Sequence, residues 1–135
     1  MSALGPVLLG TTACGVHRTD LAVAEVQAEA EASGWTFAYV GGPALDTRTA
    51  VMVALGEALG FPSYFTGRSL DGLHDCLRDV GSRTVLLWEG WGTLAEADPH
   101  GLRRLLGVLA QRAAEEPPFE VLLRGEGPQH AAAAL

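Results

Sequence analysis

Three aspartates recur at intervals of four residues in one short stretch of the chain, at Asp71, Asp75 and Asp79. The surrounding letters, LDGLHDCLRDV, are typical of a helix, and on a helix this spacing aligns the three carboxylates along one face. Like charges at this spacing destabilise a helix by roughly 0.2–0.5 kcal/mol per pair. His74 lies between the first two aspartates and adds a titratable imidazole. The stretch therefore concentrates negative charge at a cost to its own helix.

Asp71, His74 and Asp75 form one candidate site, in which carboxylate oxygens and an imidazole would hold a divalent metal ion such as Mg²⁺. A metal-dependent enzyme built on these residues is one hypothesis. The chain has no lysine, no GxxxxGK[ST] loop and no GxGxxG loop, so it lacks the usual phosphate-binding motifs. It also has no GxSxG nucleophile elbow, and Cys76 lies on the apolar side of its predicted helix. We therefore predict no catalytic residue, no metal and no cofactor.

The charge balance favours a protein partner. The net charge is −7, and all nine basic residues are arginines. An acidic chain is a poor ligand for a phosphate backbone, so we expect no nucleic-acid binding. An exposed acidic helix suits a basic protein, because opposite electric fields accelerate association. A solvated acidic face with no partner is the simpler alternative.

The elements that must position the aspartates follow from the apolar pattern and the turn residues. Strands separated by helices imply parallel pairing with right-handed crossovers. We therefore predict an α/β fold with a small three-stranded parallel sheet packed by helices. The N-terminal letters PVLLG are compatible with an extra edge strand or a disordered arm. The predicted strands span residues 35–40, 83–91 and 119–124, and the predicted helices span residues 20–32, 48–60, 70–80 and 100–116.

The sequence also predicts where helices begin and end and which cysteine, aromatic and histidine side chains are buried or exposed. Thr19 or Asp20, Asp46 or Thr47, and Ser69 are candidate N-caps, and Gly60 is a candidate helix end. With 135 residues, 48 % of them hydrophobic, and no long apolar run, we expect one domain, no membrane span and a cytoplasmic location. The remaining assignments are reduced thiols at Cys14 and Cys76, core aromatics at Trp35, Tyr39, Trp88 and Phe119, and exposed histidines at His17, His100 and His130.

The segment LGFPSYFTGRSLDGLHDCL, residues 59–77, resembles the barstar family of ribonuclease inhibitors. The later strand VLLWEGW and the helix and strand within residues 102–124 follow in the order and spacing of that family. The resemblance covers roughly residues 35–125. It divides the chain into an N-terminal extension with a surface helix, residues 1–34, a barstar-like domain, residues 35–125, and a frayed tail, residues 126–135. The shared positions in the loop and helix are Leu59, Pro62, Tyr64, Phe65, Gly67, Leu70, Asp71, Leu73, Asp75, Cys76 and Leu77.

The resemblance implies tight one-to-one binding of a small microbial, guanyl-preferring ribonuclease of the secreted type, inside the cell that produces it. By analogy, Asp75 would occupy the place of the scissile phosphate in the basic active site of the enzyme, and Asp71 would meet its cationic rim or backbone amides. The other predicted contact residues are Tyr64, Phe65, Gly67, Ser69, Leu70, His74, Asp79 and Gln111.

Several positions depart from the family pattern. Thr66 is an extra residue in the loop, and Arg68 stands where the family prototype has an acid. Ser69, His74 and Gln111 replace an asparagine, a large aromatic and a glutamate. The loop therefore differs in length and charge, which leaves the choice of partner open. A barstar-like interaction or antitoxin module with a non-ribonuclease partner is the alternative.

Overall fold

The computed structural model describes residues 3–42 and 44–135 around one sheet in which all neighbouring strands are parallel. The strand order across the sheet is β2-β3-β4-β1-β5. The strands are β1 Val16–Thr19, β2 Thr36–Val40, β3 Thr84–Glu89, β4 Phe119–Arg124 and β5 Ala133–Ala134. The helices are α1 Gly5–Leu8, α2 Val23–Ala32, α3 Arg48–Leu59, α4 Leu70–Arg78, α5 Gly92–Ala97 and α6 Pro99–Ala113.

The sheet has five strands, so the prediction of three was too low. The three predicted strands are present as β2, β3 and β4. The letters PVLLG form α1 and the start of its C-terminal turn rather than a strand, because a proline in the first turn favours a helix. The strand from the N-terminal extension is β1, which pairs with β4 from Val16 opposite Val121 to Thr19 opposite Arg124. The four residues of β1, VHRT, are too few to show the alternating pattern of a strand, so only the pairing with β4 identifies it.

The C-terminal tail, which was predicted to fray, ends in β5. His17 and Arg18 of β1 pair with the two alanines of β5. The Leu135 amide donates to the Arg18 carbonyl at 2.9 Å, and the Arg18 Nε donates to the Ala132 carbonyl at 2.8 Å. The open backbone edge of β1 and the side chain of Arg18 supply these partners, and an alanine run does not reveal them in sequence. The limits proposed for the three parts of the chain stay predictions.

Helices cover both faces of the sheet. On one face, the core formed with α3, α4, α5 and α6 includes Leu86, Trp88 and Val121. On the other face, the core formed with α1 and α2 includes Leu87 and Leu122. Parallel strands buried on both faces carry continuous apolar runs, which explains the letters VLLW in β3 and VLL in β4. The predicted burial of Trp88 and Phe119 is confirmed, since neither is exposed.

Two side-chain predictions were wrong because polar partners come from distant strands. Tyr39 is 42 % exposed, and its hydroxyl donates to Glu89 at 2.6 Å. This hydrogen bond lowers the pKa of Glu89 and raises that of Tyr39. His17 is not a free surface histidine, because its Nδ1 lies 2.6 Å from the buried Glu120 carboxylate. Neither pairing is local in sequence.

The predicted caps hold for two helices and fail for one. Thr47 accepts a hydrogen bond from the Ala50 amide at the start of α3, and Gly60 ends that helix in the left-handed conformation, with φ of 71°. The N-cap of α2 is Ala22 rather than Thr19 or Asp20. The Thr19 hydroxyl instead accepts from the Leu21 amide, so α2 begins three residues later than predicted.

Candidate functional site

Helix α4 forms as its sequence predicts. The Ser69 hydroxyl accepts from the Gly72 amide at 3.0 Å, which satisfies one of the free N–H groups of the first turn. Leu73, Cys76 and Leu77 lie on the inner side of the helix and are buried. The aspartates therefore fall on the outer side, as the helical period requires.

The acidic face of α4 consists of Asp71, Asp75 and Asp79, and all three side chains are exposed. Arg78 donates to Asp75 at 3.2 Å, with 59 % and 67 % of the two side chains exposed. A surface pair of this kind contributes about 0.2–1 kcal/mol. Within residues 3–42 and 44–135, Asp71 and Asp79 form no ion pair. The acidic face thus keeps more negative charge than its own arginine neutralises.

The buried side chain of Arg112, on α6, fixes the C-terminal end of α4. Its Nε donates to the Leu77 carbonyl at 2.9 Å and its Nη2 to the Val80 carbonyl at 3.2 Å. Its Nη1 donates to the Glu115 and Pro117 carbonyls, and the guanidinium lies 5.0 Å from the centre of the Phe119 ring. A cation at a helix C-terminus satisfies free carbonyls and offsets the negative end of the dipole. Arg112 therefore supplies hydrogen-bond donors and a positive charge at the C-terminal end of α4.

The loop before α4 is bound to α3 by aromatic packing. The Phe61 and Phe65 rings meet edge to face, with centroids 5.1 Å apart. Phe65 also covers Gly56, where an added Cβ would lie 2.8 Å from the ring. The Phe65 amide donates to the Pro62 carbonyl at 3.0 Å, which closes a turn. Tyr64 occupies the tip of this turn and is 72 % exposed.

Gly67 joins the loop to α3 at a point where only glycine fits. Its φ is +74°, a region that other residues rarely adopt. An added Cβ would lie 2.9 Å from the Val53 Cγ2 and 3.2 Å from the Val53 backbone nitrogen. The loop and α4 are therefore held by the packing of Phe65 and Gly67 on α3, by the Ser69 cap and by the Arg112 hydrogen bonds.

The ten predicted contact residues divide by exposure. Phe65 packs on α3, Leu70 packs against the core, and the Ser69 hydroxyl is used by the cap, so contacts within the chain already explain these residue types. Gln111 is exposed in the last turn of α6, next to Arg112. Exposed residues are Tyr64, Ser69, Asp71, Asp75, Asp79 and Gln111, half-buried residues are Phe65, Leu70 and His74, and Gly67 is buried.

The residues that the structure describes give no geometric support for a metal site, and both cysteines are reduced, as predicted. In the part of the chain that the structure describes, no group of three or more His, Cys, Asp or Glu residues is arranged to hold a metal ion. Cys14 and Cys76 are both free thiols. Burial, followed by the charges of Asp79 and Asp75, raises the pKa of Cys76, which keeps the thiol protonated and unreactive.

Two residues of the site were missed from sequence. Arg112 has no role predicted from the sequence, and it is buried, with 2 % of its surface exposed. Val53, on α3, supports Gly67 and still leaves 41 % of its surface exposed beside the loop. The letters QRAAEEPP around Arg112 give no sign that its side chain crosses to α4.

A parallel sheet with helices on both faces defines an α/β protein, here with a rigid acidic segment on its surface. The model of the family described as Barstar (barnase inhibitor) matches residues 35–124, and the chain belongs to that family. The match confirms the resemblance seen in the loop and α4. Strands β1 and β5 and helices α1 and α2 lie outside the matched residues.

One further comparison and one observation on the helices complete the description of the chain. No curated protein matches the chain. Across the residues described, no helix combines the length and the apolar character needed to span a bilayer. Membership of an inhibitor family agrees with the prediction that the chain is not an enzyme and indicates a protein-binding role of the barnase-inhibitor kind.

Proposed function

We propose that the chain inhibits a small microbial, guanyl-preferring ribonuclease by covering its basic active site with the segment from Tyr64 to Asp79. The family match supports this proposal, because the family is described by inhibition of barnase. The observation that carries it is the acidic face of α4, which is exposed, fixed at both ends and short of cations. Asp75 is the proposed substitute for the scissile phosphate.

The rigidity of this segment matters for affinity. Ordering a loop on binding costs roughly 0.5–1.5 kcal/mol for each immobilised flexible side chain. The Phe61–Phe65 contact, the Gly67 packing and the Arg112 hydrogen bonds hold the segment in place before the partner arrives. A carboxylate presented in this way forms charge-assisted hydrogen bonds with arginine, which are shorter and stronger than neutral ones.

The proposed setting is the cytoplasm of the cell that makes the nuclease. An inhibitor there protects cellular RNA before the enzyme is exported. The charge of −7 on the chain would accelerate its encounter with a basic enzyme, so the association rate should fall as salt rises.

The test uses Asp75→Ala and Asp75→Asn in an inhibition assay against a panel of purified guanyl-preferring microbial ribonucleases. Both variants should fold, because Asp75 is exposed. Loss of one member of a desolvated charge pair costs roughly 2–5 kcal/mol, or about 30- to 5,000-fold in Kd. Asp20→Asn is the matched control, since Asp20 is exposed and precedes α2 on the opposite face of the sheet.

The outcomes separate the hypotheses. Full inhibition by both Asp75 variants would show that Asp75 is not the phosphate substitute. If the wild-type chain inhibits no member of the panel, the partner belongs to another class, and affinity capture from the native cell would identify it. Calorimetry with magnesium, manganese and zinc tests the metal hypothesis, which a lack of heat at millimolar metal would exclude.

A further inference from the structure

We propose that Arg68 determines which nuclease the chain inhibits, by pairing with a carboxylate that the partner carries beside its cationic active site. This inference rests on the proposed function and adds the chemistry of one partner residue to it. Arg68 is exposed and lies in the segment that carries the acidic face of α4. It is a positive charge in a surface otherwise suited to a basic partner.

The backbone on both sides of Arg68 is fixed. Gly67 is held in the left-handed conformation against Val53 and the Thr49 carbonyl. Ser69 has an extended backbone, with φ of −132° and ψ of 133°, because it caps α4. The direction in which Arg68 leaves the loop is therefore set by the fold.

Arg68 has no carboxylate partner within the described chain. It forms no hydrogen bond or ion pair there, although Asp71 follows three residues later. The same three-residue spacing does join Asp75 and Arg78, because both lie on α4. Arg68 precedes the cap, so the helical geometry that brings such pairs together does not apply to it.

The sign of the charge that Arg68 meets on the partner determines whether Arg68 strengthens or weakens the complex. Two charges in contact at a protein interface interact more strongly than they do in bulk water, because the effective dielectric constant is lower there. Against a uniformly cationic active site, Arg68 would repel the enzyme and oppose the attraction of Asp71 and Asp75. Against a carboxylate, the same charge becomes attractive. Arg68 therefore strengthens binding to a nuclease with a carboxylate at this position and weakens binding to a nuclease with a uniformly cationic active site.

The experiment uses a nuclease that the wild-type chain inhibits and measures Kd for Arg68→Gln and Arg68→Glu. We expect binding to weaken about 10-fold for the glutamine variant and about 100-fold for the glutamate variant. Each acidic residue bordering the active site of that nuclease is then neutralised in turn. One of these enzyme variants should bind the wild-type chain and Arg68→Gln equally, which identifies the paired carboxylate.

Arg103→Gln is the matched control, because Arg103 is an exposed arginine on α6 that lines a groove with Pro128 and His130 of the tail. It removes the same charge without touching the loop. Unchanged or tighter binding by both Arg68 variants would overturn the inference while leaving the proposed function intact, provided that Asp75→Ala still loses inhibition. Failure of the wild-type chain to inhibit any nuclease would remove the proposed function and the inference with it.

Discussion

At the scale of single residues, the three aspartates of the acidic face differ in their ion-pair partners and in their position relative to the helix dipole. Asp75 has a weak internal partner in Arg78, and Asp71 and Asp79 have none among the described residues. Asp71 lies in the first turn of α4, where the positive end of the helix dipole favours it. Asp79 is the C-cap, where the dipole opposes it. The proposed contact residue Asp75 is thus the one whose charge the chain itself partly neutralises.

This arrangement predicts the effect of Arg78→Gln. An enzyme cation that reaches Asp75 must compete with Arg78, so removing Arg78 should tighten binding about two- to fivefold, the equivalent of a surface ion pair. The gain should appear in the association rate at low salt, measured by stopped flow, and shrink at high salt. Arg83→Gln, on an exposed residue before β3, is the control. Weaker binding would instead mean that Arg78 orients Asp75 for the partner.

At the scale of elements, α4 is an acidic helix that depends on its neighbours at both ends. Ser69 satisfies the first turn locally, but the last carbonyls are satisfied by Arg112 from α6. Burial lowers the pKa of Arg112, yet an arginine stays charged at all ordinary pH values. The buried guanidinium is compensated by four carbonyl oxygens and the Phe119 ring.

Arg112→Met should lower the free energy of unfolding by about 3 kcal/mol, because it leaves buried carbonyl groups without a donor. Urea unfolding followed by circular dichroism measures the change. The control is Arg104→Met, since Arg104 is exposed on the same helix and should change stability by less than about 0.5 kcal/mol. An equal, small effect of both substitutions would show that Arg112 does not anchor α4.

At the scale of the whole molecule, the N-terminal extension is part of the folded unit. Strand β1 lies between β4 and β5, and α1 and α2 cover the second face of the sheet. The buried Glu120 on β4 ties β1 in place by accepting from the Gly15 amide at 2.8 Å and meeting the His17 Nδ1 at 2.6 Å. Burial raises the pKa of Glu120, even though both hydrogen bonds act to lower it.

The raised pKa of Glu120 predicts a pH dependence with a definite sign. Between the ordinary carboxyl pKa of 4.5 and the higher native value, the folded chain holds a proton that the unfolded chain has lost. The contribution of this group to stability is therefore fully present below pH 4.5 and is lost as the pH rises through the native pKa. The groups that face it are His17 and the half-buried thiol of Cys14, whose own pKa burial and Glu120 raise.

Glu120→Gln removes the titrating carboxyl and, with it, the loss of stability as the pH rises. The variant should therefore be at least as stable as the wild type at pH 7, and its stability should depend less on pH. The amide oxygen can still accept from Gly15, and its NH₂ group can donate to His17. Thermal unfolding midpoints between pH 4.5 and 7.5 measure the effect, with the exposed Glu126→Gln as the control. Identical profiles for Glu120→Gln and the wild type would contradict the assignment.

The sequence by itself determined the features that depend on neighbours along the chain. Helical spacing placed the aspartates of α4 outside and Leu73 and Leu77 inside, and Ser69 capped the helix as predicted. A continuous apolar centre marked β3 as a buried strand. These features follow from the helical period, from strand burial and from local hydrogen bonds, all of which act within a few residues.

The tertiary structure decided what joins residues far apart in sequence. No local sequence pattern predicts three of the contacts in this structure. They are the pairing of β1 with β4 and β5, the hydrogen bonds from Arg112 to the end of α4, and the packing of Gly67 on Val53. Each depends on a partner that only the folded chain brings within contact distance. The acidic face could therefore be found by reading the sequence, whereas its rigidity, which a tight inhibitor needs, comes from contacts between elements.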